Sequence, residues 1–317
     1  MLSRKSRRAA AIGSNWVRHR LGSEFSLHES VVVLASPRSG STWVTEVIGS
    51  CPGFGVVNEP LHPQFVAPRS LRLQSRTYLS PTSAAVDLES YLRAAFTGDV
   101  VRPFAVGFSD PMEPWRVNRW ISKVVHGAGL TGWLAEHLPE PQYVGLLRHP
   151  CAVVASQRQK KMITPDGFQS ARLQFASLWP ELATTLAAVK TEISLYAACW
   201  CMDAFALTNC QQPPRFRLVC YEDLVSSADT AFASLADWVG ASSPAVGAPG
   251  LSTPSASTQE PMLGSTAQLG KWQDLLTRAE VNEVVSLADA FGLSFYRGDS
   301  LEPDHRAIRA ASRDRRK

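Results

Sequence analysis

Val31-Val32-Val33-Leu34-Ala35-Ser36-Pro37-Arg38-Ser39-Gly40-Ser41-Thr42-Trp43-Val44-Thr45-Glu46-Val47-Ile48 decides the fold. Its first four residues are apolar without alternation, the pattern of a central parallel strand buried on both faces. Trp43, Val44, Val47 and Ile48 then fall at helical spacing, so the stretch reads as strand, tight loop, helix. A helix N-terminus offers unpaired backbone N–H groups and the positive end of the peptide dipoles, which suits it to a phosphate or sulfate. Gly40 permits close backbone approach; Ser39, Ser41 and Thr42 add hydroxyl donors; Arg38 adds a permanent, forked cation. A kinase or NTPase phosphate loop needs Gly-x-x-x-x-Gly-Lys-Ser/Thr. Here Ala35 stands five residues before Gly40 and Ser41 follows it, which makes a nucleotide-dependent kinase the lesser reading.

Outward from this stretch, Tyr143–Leu147 repeats the apolar strand and leads into Arg148-His149-Pro150 and the helical Ala152–Ser156. Trp120–Val125 and Phe216–Tyr221 read as further strands, and Gly132–Leu138 as a helix ending at Pro139. Ile193–Leu207, interrupted by Asp203, reads as a buried helix too short and too polar to span a bilayer. The expected fold is α/β: a single domain with a central, mostly parallel sheet flanked by helices and its ligand at the carboxyl ends of the strands. Residues 62–119 are rich in Pro, Ser and Arg, with one amphipathic patch at Leu88–Phe96. Such an insertion is expected to cover an active site. Residues 241–261 are Ser/Pro/Ala/Gly-rich and read as a mobile loop.

With 317 residues and 45% hydrophobic content the chain can bury one large core. Its net charge of +4 is concentrated at the ends: residues 1–22 carry six Lys/Arg, and residues 303–317 carry six against Asp304 and Asp314. That leaves 20 bases and 26 acids in residues 23–302, a net −6, which argues against a nucleic-acid-binding body. The expected division is a basic, flexible arm at 1–24, a catalytic domain at 25–302 and a basic, disordered tail at 303–317. Trp16 and Leu21 leave open a peripheral membrane contact through the arm. Six cysteines without CxxC or metal spacing, and no secretion-signal run, point to reduced thiols in the cytoplasm.

Pro37-Arg38-Ser39-Gly40-Ser41-Thr42-Trp43 resembles the first signature of the PAPS-dependent sulfotransferase family, Pro-(Lys/Arg)-Ser-Gly-(Ser/Thr)-Thr-(Trp/Leu). Its arginine is the form more typical of carbohydrate-acting and bacterial members. PAPS is 3′-phosphoadenosine-5′-phosphosulfate. The resemblance implies a P-loop-like fold, a loop that holds the 5′-phosphosulfate, Arg38 at the bridging oxygen and Trp43 against the adenine. Core packing is an equally open reading of Trp43. The family's second signature, Arg-x-Pro with a serine eight residues after the arginine, is similar to Arg148-His149-Pro150 with Ser156, implying a 3′-phosphate site. Tyr221-Glu222-Asp223-Leu224 resembles a strand-end segment whose tyrosine approaches the adenine. Gly270-Lys271-Trp272 with Leu276-Thr277 and Glu280 resembles the end of the cofactor flap. Just upstream, Ser265, Thr266 and Gln268 stand where the family usually has basic residues.

Transfer to a hydroxyl needs a base. Glu59, in Asn58-Glu59-Pro60, resembles the Glu-Pro base of members that sulfate sugars. His126 is the alternative: small-alcohol members carry Lys-x-His, whereas Lys123-Val124-Val125-His126 places the imidazole one residue out of register on a continuous strand. The family chemistry implies PAPS as co-substrate, no required metal, and a glycan, glycolipid or small alcohol as acceptor. A binding protein that holds PAPS without transfer is a further alternative.

Overall fold

The computed structural model describes residues 25–99, 117–241 and 266–313. One sheet of five parallel strands forms the centre: β1 (Val31–Ala35), β2 (Phe54–Asn58), β3 (Arg119–Val124), β4 (Gln142–Leu147) and β5 (Phe216–Cys220), in the order β2-β3-β1-β4-β5. Around it lie α1 (Ser41–Gly49), α2 (Val86–Phe96), α3 (Thr131–His137), α4 (Pro150–Gln159), α5 (Pro165–Leu178), α6 (Ala183–Ala187) and α7 (Glu192–Asn209). Beyond β5 follow α8 (Tyr221–Ser226), α9 (Ala228–Trp238), α10 (Thr266–Gly270), α11 (Arg278–Ala290) and α12 (His305–Arg313). This is the α/β, P-loop-like arrangement expected.

The unalternating run of β1 has the meaning its composition suggested. Val32 and Leu34 enter one apolar layer with Trp133, Tyr143 and the core of α7, while Val31, Val33 and Ala35 enter the opposite layer with Trp43, Val44 and Val47. A strand turns successive side chains to opposite faces, so only a strand covered on both sides can be apolar throughout. Pairing then aligns the strand ends. Val33 and Asn58 both sit beside Lys123, Ala35 sits beside Leu146, and Leu147 beside Cys220. The chain therefore leaves all five strands at one edge.

α7 runs buried along nearly its whole length and starts at a capping box between Thr191 and Ser194. Several features differ from the sequence reading. Short β2, preceded by Gly53 and containing Gly55, was not anticipated as a strand. β5 is half-exposed because it lies at the sheet edge. β3 ends at Val124, before His126. Residues 303–317, expected without structure, carry helix α12, which buries Ile308. The arm at 1–24 and nearly all of the 241–261 loop lie outside the described residues.

His149 fastens β4 to the C-terminal part of the chain. Its Nδ1 caps α4 by accepting from the Cys151 N–H at 3.2 Å, its Nε2 donates to the Arg297 carbonyl at 3.1 Å, and its ring stacks on Trp272 at 4.7 Å. Burial pushes its pKa down to about 4, against backbone hydrogen bonds at Arg297 and Ser300 that favour the cation and with help from nearby Arg148. The unfolded chain thus takes up this proton first. The stabilisation is full above an unperturbed imidazole pKa of about 6.5 and is lost as pH falls towards 4. Glu222, pushed up to about 6 by burial, has the opposite slope between its unfolded and folded values. His149→Asn retains a capping side chain without a titrating one. Its melting temperature should fall less than the wild type's between pH 6.5 and 4.5; parallel pH profiles from thermal melts would show that another group is responsible.

Candidate active site

Each loop at the common strand edge delivers part of one site. After β1 the chain turns through Ser36–Gly40, with the Ser39 N–H donating to the Ser36 carbonyl at 3.2 Å. Gly40 takes φ +89° as the N-cap of α1 and supplies no capping side chain. A methyl group there would meet the Tyr221 ring at 2.3 Å, so glycine is needed both for the turn and for the close packing. Arg38 also adopts a left-handed backbone, φ +73°. Its Nε donates to Ser156 Oγ at 3.0 Å, and Arg148 Nη1 donates to its carbonyl at 3.1 Å.

The two signatures separated by 110 residues are thereby in direct contact. Arg148 lies over the Tyr221 ring, 4.3 Å from the centroid, a favourable cation–π arrangement. Burial, and then the neighbouring Arg148, lower the pKa of Arg38. Among the described residues neither arginine forms a salt bridge. Ser39 Oγ and Arg148 Nε are buried without a hydrogen-bond partner there. Two adjacent guanidiniums, two unspent buried donors and an uncapped helix start make a site for an anion carrying more than one charge. Ser41 is buried at the start of α1, and Thr42 accepts from Lys123. Trp43 is 1% exposed and packs edge-on against Phe232 and Tyr221, which is the core reading of that residue.

The base candidates converge instead of competing for different places. Glu59 leaves β2 with φ +48°, its N–H donating to the Lys123 carbonyl at 2.8 Å. Lys123 Nζ lies 2.7 Å from Glu59 Oε1 and 3.0 Å from Thr42 Oγ1, joining the carboxylate to the anion-binding helix. Glu59 Oε2 faces His126 Nε2 at 3.9 Å. Because β3 stops at Val124, strand alternation does not govern His126, and the register objection falls away. His126 Nδ1 donates to the Ser75 carbonyl at 2.7 Å, which leaves the Nε2 lone pair towards Glu59. Burial lowers its pKa and keeps it neutral. Glu59, His62 and His126 offer ligand atoms within 4.8 Å of one another, but the Lys123 ammonium already holds this carboxylate and opposes a metal cation.

Sequence reasoning missed Glu222, whose buried carboxylate accepts from the His149 N–H at 2.8 Å and the Tyr296 hydroxyl at 3.0 Å, tying the ends of β4 and β5 together. The Leu276-Thr277…Glu280 echo is a capping box at the start of α11, and Glu280 also pairs with Arg158 of α4. Such a box is recognisable from sequence alone. Ser265, upstream of Gly270, lies outside the described residues.

The fold and this edge define an α/β protein built around an anion-binding loop. The sequence model of the sulfotransferase family matches residues 30–244, and the chain belongs to that family: it is a sulfotransferase, an enzyme of sulfuryl transfer. No curated protein matches the chain. Similar solved structures include a sulfotransferase domain from the curacin biosynthetic pathway, 16% identical with a TM-score of 0.44, covering 82% of this chain and 97% of that one. Another is the sulfotransferase domain of the Synechococcus PCC 7002 olefin synthase, 16% identical with a TM-score of 0.45, covering 83% and 94%.

Gly40→Ala should destabilise the chain by roughly 1–3 kcal/mol, from the left-handed backbone and the collision with Tyr221. Tyr221→Ala relieves only the collision. In a double-mutant cycle by denaturant unfolding the pair should therefore cost less than the sum of the single changes; strict additivity would place the Tyr221 ring elsewhere.

Proposed function

We propose that the enzyme moves the sulfuryl group of PAPS onto a hydroxyl of a glycan, glycolipid or small alcohol by in-line displacement, with Glu59 taking the acceptor proton. The pairing of Arg38 and Arg148, neither in a salt bridge among the described residues, at the uncapped start of α1 carries this reading. A donor with phosphate groups at two positions needs two cationic anchors, and Ser156 stands beside Arg38 where the two signatures meet. Ser39 Oγ and Arg148 Nε fit such a ligand as unspent donors. On the acceptor side, Oε2 of Glu59 would receive the proton as the acceptor oxygen attacks sulfur and the bond from sulfur to the phosphate oxygen breaks. Arg38 and Lys123 would stabilise the charge growing on that oxygen. Tyr221, held under Arg148, would flank the base of the nucleotide. All six cysteines are free and, among the described residues, no helix is long and apolar enough to cross a membrane. The free thiols support a reducing, cytoplasmic setting.

Adenosine 3′,5′-bisphosphate should raise the melting temperature by mass action far more than ADP does, and Arg148→Ala should remove most of that difference. Equal shifts with both nucleotides would refute the 3′-phosphate assignment. Glu59→Gln should keep affinity for the bisphosphate yet lose on the order of a hundredfold or more in turnover, followed as labelled sulfate passing from PAPS to an identified acceptor. His126→Ala should be milder. The reverse order would assign the proton to the imidazole.

A further inference from the structure

Asp203 lies in the middle of α7, 2% exposed, where the surrounding helix is apolar. A carboxylate in such a place is costly unless it is paired and fully hydrogen-bonded. Its Oδ2 accepts from Ser36 Oγ at 2.8 Å and from Arg76 Nε at 3.1 Å, and its Oδ1 accepts from the Tyr78 hydroxyl at 3.0 Å. Burial works against the charge of Arg76, but Asp203 together with Cys199 and Tyr78 outweighs it and the guanidinium stays protonated.

These donors come from two functional segments. Ser36 opens the anion-binding loop, which Gln157 also holds by donating to the Pro37 carbonyl at 2.7 Å. Arg76 adjoins Ser75, whose carbonyl accepts the hydrogen bond of His126 Nδ1–H. We infer that Asp203 is a positioning residue that locks the donor loop to the segment fixing the His126 tautomer, so that the two halves of the site keep one mutual geometry. The inference rests on the reading of Ser36–Gly40 as the donor loop. The charged and titratable groups facing His126 are Glu59, His62 and Arg76. Loss of the Asp203 charge acts on the last of these.

The test uses the full chain with nitrogen-15-labelled histidine. Calorimetry reads the Kd of adenosine 3′,5′-bisphosphate, and nitrogen NMR reads the tautomer of His126, assigned with His126→Gln. Asp203→Asn should weaken the nucleotide about tenfold and turn the single Nδ1–H form of His126 into a mixture. Tyr78→Phe, which spares the Ser36 and Arg76 bonds, should change neither by more than about twofold. A folded Asp203→Asn in which either readout keeps its wild-type value overturns the inference. If that variant does not fold, Ser36→Ala and Arg76→Gln replace it. Each should also move the distant readout: Ser36→Ala the imidazole, Arg76→Gln the nucleotide. Purely local effects overturn the linkage. Failure of the wild type to bind the bisphosphate refutes the donor assignment instead, and the imidazole response to Ser36→Ala still decides the linkage.

Discussion

Parallel pairing of β1 with both β3 and β4 places every polar group of the site at one edge. Parallel strands end in the same direction, so the strand ends and following segments carrying Arg38, Glu59, Lys123 with His126, Arg148 and Tyr221 emerge side by side although Arg38 and Tyr221 are far apart in sequence. What holds this pairing is burial on both faces. Each fully covered Val or Leu of β1 contributes about 1.5–3 kcal/mol. That reservoir lets Arg38 and Glu59 remain in left-handed backbone, which costs roughly 1–2 kcal/mol for each residue. The strained positions lie just past the carboxyl ends of β1 and β2, and the relaxed core lies beneath them.

The electrostatics follow from the same crowding. Within a domain body of net negative charge, Arg38 and Arg148 are pressed together and Lys123 lies almost fully buried. Arg148 is eased by the Tyr221 ring and by nearby Glu222, whose own carboxyl is pushed up to about 6 chiefly by burial. Lys123 is answered directly by Glu59. The edge therefore separates into a cationic half with spare donors and a half whose carboxylate is already matched. An anionic donor suits the first, and a neutral hydroxyl suits the second.

Much of this was legible where chemistry is local. The strand–loop–helix of residues 31–48 and the turn Arg148–Pro150 announce themselves through apolar runs interrupted by small polar residues and arginines. The buried helix at Ile193–Leu207 was equally plain, but its Asp203 looked like a mere interruption because its partners lie 125 or more positions away. The Lys123–Glu59 pair was hidden for a related reason: it exists only because β2 and β3 are neighbours, and β2 is a five-residue strand with a glycine inside it. The register objection to His126 holds only on a continuous strand, and β3 ends at Val124. The helix start at Thr277 and Glu280, a capping box, is legible from the local sequence alone.

One register decides whether the Glu59 carboxylate meets the helix that begins at the Ser36–Gly40 loop. Lys123 stands between Val33 of β1 and Asn58 of β2, and Glu59 follows Asn58 directly. Both the backbone N–H and the carboxylate of Glu59 are fastened to Lys123, at 2.8 and 2.7 Å, so this glutamate has little freedom apart from β3. The same ammonium reaches Thr42 on the helix that begins at the anion loop. A slip of one residue in β3 would turn Lys123 to the other face of the sheet, release Glu59 and separate the carboxylate from α1. The burial of Trp120 and Val124 in one apolar layer and of Ile121 in the other, which fixes β3, is thus also what sets the distance between the Glu59 carboxylate and the loop at the start of α1.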